Sequence, residues 1–94
     1  MSAPRTVRQA LSKRIRIPLT SPVEFDGVRY AEFRMREAKP RDLGYLDPTD
    51  SLLALGVTLT ARLCGVPEAV VYALDLEDAE RVGNQADALI SRIV

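Results

Sequence analysis

The dipeptide Asp26-Gly27 constrains this chain more than any other feature of its sequence. A two-residue type I′ hairpin turn needs positive φ at both central positions, which Asp tolerates and Gly prefers. Apolar residues alternate on both sides of it, as paired strands require. Before the turn, Ile15, Ile17, Leu19, Val23 and Phe25 share one parity. After it the apolar residues start on even numbers (Val28, Tyr30) and then move to odd ones (Ala31, Phe33, Met35). The two-residue loop pairs Phe25 with Val28, Glu24 with Arg29 and Val23 with Tyr30. Val23, Phe25, Val28 and Tyr30 then share the dry face, and Glu24 meets Arg29 on the wet one. Carried past Tyr30, the same register would turn Phe33 and Met35 into water and Glu32 and Arg34 into the core. A β-bulge at Tyr30-Ala31 adds one residue, restores the facing, and predicts Phe33 opposite Ser21 and Met35 opposite Leu19. Pro18 and Pro22 cannot donate to a ladder, so the first strand belongs at an edge or is bent between two short pieces.

From Lys39 the period changes. Pro40 suits a first helical turn and Asp42 is an acid near its positive end, so residues 40–46 read as a short helical start. Asp47-Pro48 stops it, and Thr49 or Asp50 is expected to cap the next helix. That helix, about Asp50 to Cys64, carries Leu52, Leu55, Leu59 and Leu63 on one stripe flanked by Leu53, Val57 and Cys64, as a core helix would. Gly65 is a natural left-handed terminator. A short helix follows from Pro67 to Leu74. Asp75 is expected to cap the last one, about Leu76 to Ile93, whose apolar stripe is Leu76, Ala79, Val82, Ala86, Leu89, Ile90 and Ile93. Its outer face is expected to carry Glu77, Asp78, Glu80, Arg81, Gln85, Asp87 and Arg92. Gly83 weakens the middle of this helix, and a close helix crossing is the simplest reason for it.

Strands followed by helices predict an α+β fold: a bent, bulged antiparallel N-terminal β-hairpin packed against three to four C-terminal helices. Two strands cannot stand without such cover. The 94 residues suffice for one domain, read as residues 13–94, with strands at about 14–36 and helices at about 40–93. Residues 1–12 read as an N-terminal arm, flexible or weakly helical from Val7 to Leu11. No apolar run is long enough for a membrane span, and the first residues lack the apolar core of a secretory signal, so a cytoplasmic location is expected.

The residue inventory argues against catalysis. There is no histidine and a single cysteine, Cys64, so a hydrolytic triad, a zinc site or a haem site would be hard to build, and no internal disulfide is available. Cys64 lies at a helix end within an apolar stripe, which suits a small core residue better than a thiolate nucleophile. Asp42, Asp47 and Asp50 lack the spacing of a calcium loop and are better explained by helix starts. The glycines form no phosphate-cradling run. No catalytic, cofactor-binding or metal-binding residue is therefore assigned. Charge is unevenly placed: residues 1–41 hold ten Lys/Arg and four acids, and the remainder holds three and nine. A nucleic-acid-binding or regulatory protein using the basic half is the alternative reading, but no aromatic interleaving or reading motif accompanies the charge, and nucleic acid is not the expected partner. The last apolar residues, Ile90, Ile93 and Val94, are a candidate partner-binding patch at the chain end.

The order of these features resembles the small tail assembly chaperone family of tailed bacteriophages and prophages. The resemblance rests on Pro22-Val23-Glu24, Asp26-Gly27, Tyr30, Phe33-Arg34-Met35-Arg36-Glu37 and Asp42-Leu43, then Leu63-Cys64-Gly65-Val66-Pro67, Leu74 and Asp75. It covers about residues 15–92 and leaves the N-terminal arm without a counterpart. The resemblance implies a non-enzymatic protein of the host cytoplasm that is absent from the finished virion. It implies that the tape measure protein is the partner, kept soluble while the tail tube protein polymerises around it. Self-association and contact with the tail tube protein are compatible with that role, and no cofactor or membrane is called for.

Overall fold

The computed structural model describes residues 14–93; the N-terminal arm and Val94 lie outside them. The architecture is α+β: two antiparallel strands, β1 (Ile15–Phe25) and β2 (Val28–Met35), precede four helices. These are α1 (Pro40–Leu43), α2 (Leu52–Cys64), α3 (Glu68–Tyr72) and α4 (Leu76–Ile90). β2 packs on α2, β1 packs on α3 and α4, and α2 touches both α3 and α4. One helical layer thus covers one face of the hairpin, the cover that a two-stranded sheet needs.

At the turn, Asp26 and Gly27 have φ of 52° and 78°, the left-handed pair of a type I′ connection. Phe25 faces Val28, Glu24 faces Arg29 and Val23 faces Tyr30. The register then shifts. Pro18 pairs with Glu32, Ile17 with Phe33 and Ile15 with Met35, so Leu19–Pro22 on β1 stand against Ala31 alone on β2. On β2 Tyr30 is half-buried, Ala31 exposed, and Phe33 and Met35 buried. The surplus residues, however, lie on β1 and not on β2, and Phe33 and Met35 meet Ile17 and Ile15 instead of Ser21 and Leu19. The physical reason is the proline pair. Pro18 and Pro22 have no N–H to give, and two of the amides between them are satisfied elsewhere: Thr20 N and Ser21 N donate to the Asp78 carboxylate on α4, at 3.1 and 3.2 Å.

The shift keeps Ile17, Leu19, Val23, Phe33 and Met35 buried on the helical side. The hairpin tip projects past that cover. Phe25 and Val28, expected on the dry face, are 39% and 50% exposed. From the helices the core takes Leu59 and Leu63 of α2, Val70 and Val71 of α3, and Val82, Ala86 and Leu89 of α4. A backbone bond from Arg36 N to Leu63 O (3.0 Å) ties the exit of β2 to the end of α2.

The helix ends follow local chemistry. Ser51, and neither Thr49 nor Asp50, caps α2: its hydroxyl accepts from Ala54 N at 3.1 Å. Thr49 is engaged by Asp47, whose carboxylate accepts both its N–H (2.9 Å) and its hydroxyl (2.7 Å), and the resulting turn delivers Ser51 to the cap position. At the other end Gly65 has φ of 67°, and Val66 N reaches back to Ala61 O at 3.1 Å, a Schellman closure. Pro67 is the N-cap of α3, a helix of five residues that ends at Tyr72 before the expected Leu74. α4 ends at Ile90; Arg92 and Ile93 continue in tight i→i+3 turns.

Candidate functional site: an apolar groove between α2 and α4

Two buried carboxylates fix the elements around which the groove forms. Asp42 is fully buried. It accepts two parallel hydrogen bonds from Arg36 (3.0 and 2.8 Å), one from Lys39 N (2.8 Å) and a longer one from Arg62 Nε (3.4 Å). Arg62 also lies 3.5 Å from the centre of the Tyr45 ring, a cation–π contact. The clamp joins the end of β2, the start of α1 and the last turn of α2. The paired Arg36 guanidinium holds the Asp42 carboxyl well below the usual carboxylate range against the opposing effect of burial. Asp78 was expected on the outer face of α4 but is fully buried as well. It accepts from Thr20 N, Ser21 N, Thr20 Oγ1 and Arg81, and Arg81 donates onward to the Pro18 carbonyl. Burial raises its pKa, but these donors outweigh burial and keep it below the ordinary value. Both carboxylates have their lone pairs engaged and are held ionised, so both are weak proton acceptors. Cys64, half-buried beside the core, has its thiol pushed up to about 12 by burial, which leaves it without nucleophilic thiolate at neutral pH.

With the hairpin fixed in this way, the first turns of α2 stay uncovered. The Leu52-Leu55-Leu59-Leu63 stripe was expected in the core throughout. Leu59 and Leu63 are buried and Leu55 is half-buried, whereas Leu52 is 88% exposed and its neighbour Leu53 70%. Leu76, expected at the head of the α4 stripe, is 75% exposed, and Tyr72 at the end of α3 is 57% exposed. These four side chains surround one concavity of about 470 Å³ between α2 and α4, whose buried lining is Val57, Leu59, Thr60, Val71 and Ala86 and whose lining also includes Gly56, Gly83, Ala79 and Leu74. A large apolar side chain gains about 1.5–3 kcal/mol when fully removed from water, so four left out in one place mark a surface built to be covered.

Gly83 does not serve a close crossing within the chain: a Cβ there would meet nothing within 4 Å, and the same holds at Gly56. Ile90 and Ile93, two of the three residues of the candidate partner-binding patch at the chain end, are half-buried against the core, and Val94 lies outside the described residues. The basic half is partly neutralised where it stands. Arg16 and Arg34 both bond Glu32 on the open face of the hairpin and lower its pKa, and Arg36 is held by Asp42. Among the described residues no group of His, Cys, Asp or Glu is placed to hold a metal, and no helix is long and apolar enough to cross a membrane.

The hairpin, both carboxylate clamps and the groove all lie within one stretch of family similarity. The family described as phage tail assembly chaperone proteins, E, or 41 or 14, matches residues 16–91. The chain belongs to this family. No curated protein and no solved structure matches it. As a phage tail assembly chaperone it works with protein partners in tail assembly, and the residues that carried the resemblance now have physical roles. Asp26-Gly27 is the hairpin turn, Arg36 and Asp42 are the two sides of a buried ion pair, and Gly65 closes α2. The groove was not legible in the same way, because leucines that face water and leucines that face the core obey the same helical period.

Proposed function

We propose that the chain is a non-catalytic holding chaperone for the tape measure protein. It keeps that protein soluble in the host cytoplasm while the tail tube protein polymerises, and it does not remain in the virion. The observation that carries this reading is the open apolar groove, with Leu52, Leu53, Tyr72 and Leu76 exposed around it. A long helical client presents apolar stripes that would aggregate in water, and a groove between two helices accepts such a stripe in the manner of helix-in-groove recognition. Each contact is small, so many copies along one client would hold it through avidity.

Co-expression of this chain with the tape measure protein of the same phage genome tests the reading. The expected result is that the tape measure protein moves from the pellet into the soluble fraction and co-purifies with the chain. A tape measure protein that is equally insoluble with and without the chain would sink the reading.

A further inference from the structure

The geometry points to a specific occupant for the groove: an amphipathic helix of the client with large apolar side chains at i, i+3, i+4 and i+7, flanked on one side by lysine or arginine about two turns apart. This deepens the function proposed above and rests on it. The first support is charge. α2 has no charged residue from Leu52 to Ala61, so that wall is neutral. On α4, Glu80 follows Leu76 by four residues and Asp87 follows Gly83 by four, which places both acids beside the groove lining and two turns from one another. Among the described residues neither acid has an ion-pair partner, whereas Arg62 and Arg81, the cations of these two helices, are held by Asp42 and Asp78. The border of the groove is therefore acidic and uncompensated, and a basic helix complements it.

The second support is a pair of glycines in the lining. Gly56 and Gly83 sit in the interiors of α2 and α4 at negative φ, where glycine lowers helix stability and no turn needs it. A Cβ at either position would meet nothing within 4 Å, so packing inside this chain does not call for glycine. What the two glycines leave in the lining is open space, and open space admits large side chains from outside. The volume of about 470 Å³ accommodates several of them.

Two labelled helical peptides test the proposal by fluorescence anisotropy against the full chain. They share one leucine stripe at i, i+3, i+4 and i+7, and one carries flanking lysines where its twin carries glutamates. The lysine peptide is expected to bind about tenfold or more tighter, with the preference shrinking as salt is raised to about 0.5 M. Glu80→Lys with Asp87→Lys should abolish or reverse the preference. Gly56→Leu with Gly83→Leu should abolish binding of both peptides while the circular dichroism spectrum is kept and the melting temperature does not fall, because the added side chains project into open space and leucine favours helix over glycine. Equal affinity for the two peptides, binding of neither, or unchanged binding by the glycine variants overturns the proposal. So does peptide affinity that rises in Val7→Ser with Leu11→Ser, which would make the N-terminal segment the occupant, or a dimer that the peptide dissociates, which would make it a second copy. These outcomes leave the tape measure solubility test untouched, so the groove's selectivity and the chaperone reading stand or fall separately.

Discussion

Asp42 shows how much one side chain can decide in a small domain. With its carboxylate buried and held by Arg36, Arg62 and the Lys39 amide, it joins the end of β2, α1 and the last turn of α2. Removing one partner of a buried pair leaves the others as uncompensated charge. Asp42→Asn is therefore expected to cost about 3 kcal/mol, read as a fall in the urea midpoint at unchanged slope. Cys64 makes a second expectation at this scale. A half-buried thiol with its pKa near 12 should resist iodoacetamide at pH about 8 in the folded chain and react at once in urea, so rapid alkylation of the native protein would contradict the packing described. Neither buried acid could be found from periodicity. Asp78 stands between Glu77 and Glu80 on what reads as a wet face, and its principal donors, Thr20 and Ser21, lie 58 and 57 residues away. Asp42 was visible as an acid at a helix start and as part of the Arg-Glu…Asp-Leu pattern that carried the family resemblance, but not as the buried partner of Arg36.

The elements were far more legible than their pairing. Punctuation residues placed the turn at Asp26-Gly27 and the stop at Gly65, because each meets a backbone demand that few residues satisfy; Asp75 holds the expected N-cap position of α4, though its side chain makes no cap hydrogen bond. The register of the hairpin was not legible in full. Parity revealed that an odd number of residues was inserted, but the strand that carries them depends on Pro18 and Pro22 and on an acceptor from α4, both outside any two-strand account. α2 and α4 make an expectation of their own. Gly56→Ala and Gly83→Ala should each stabilise the chain by up to about 1 kcal/mol, raising the melting temperature by up to about 4–8 °C, since the added methyl meets nothing. A fall in melting temperature for either variant would show that the glycine is needed by the fold itself.

The molecule as a whole carries an unusual titration profile because it has no histidine. The carboxyls of Asp42 and Asp78 are both held below their unfolded value of about 3.9. Groups depressed in this way contribute stability that is complete above the unfolded pKa and is lost as pH falls through the folded one. Stability is thus expected to stay level from about pH 8 to about pH 5 and to decline below about pH 4, with the acid limb shallower in Asp42→Asn. Urea titrations across that range would reveal any neutral-pH transition, which this profile does not allow. The projecting hairpin tip bears on a different question, that of where the protein tolerates alteration. Asp26 and Gly27 are exposed, Val28 is half in water, and no residue of either strand lines the groove between α2 and α4. An epitope or a short fluorogenic tag spliced between Asp26 and Gly27 would add its length to solvent, beyond the last inward-facing pair at Val23 and Tyr30. The tip is therefore the natural handle by which to attach this chaperone to a bead or a microscope slide with its groove unobstructed.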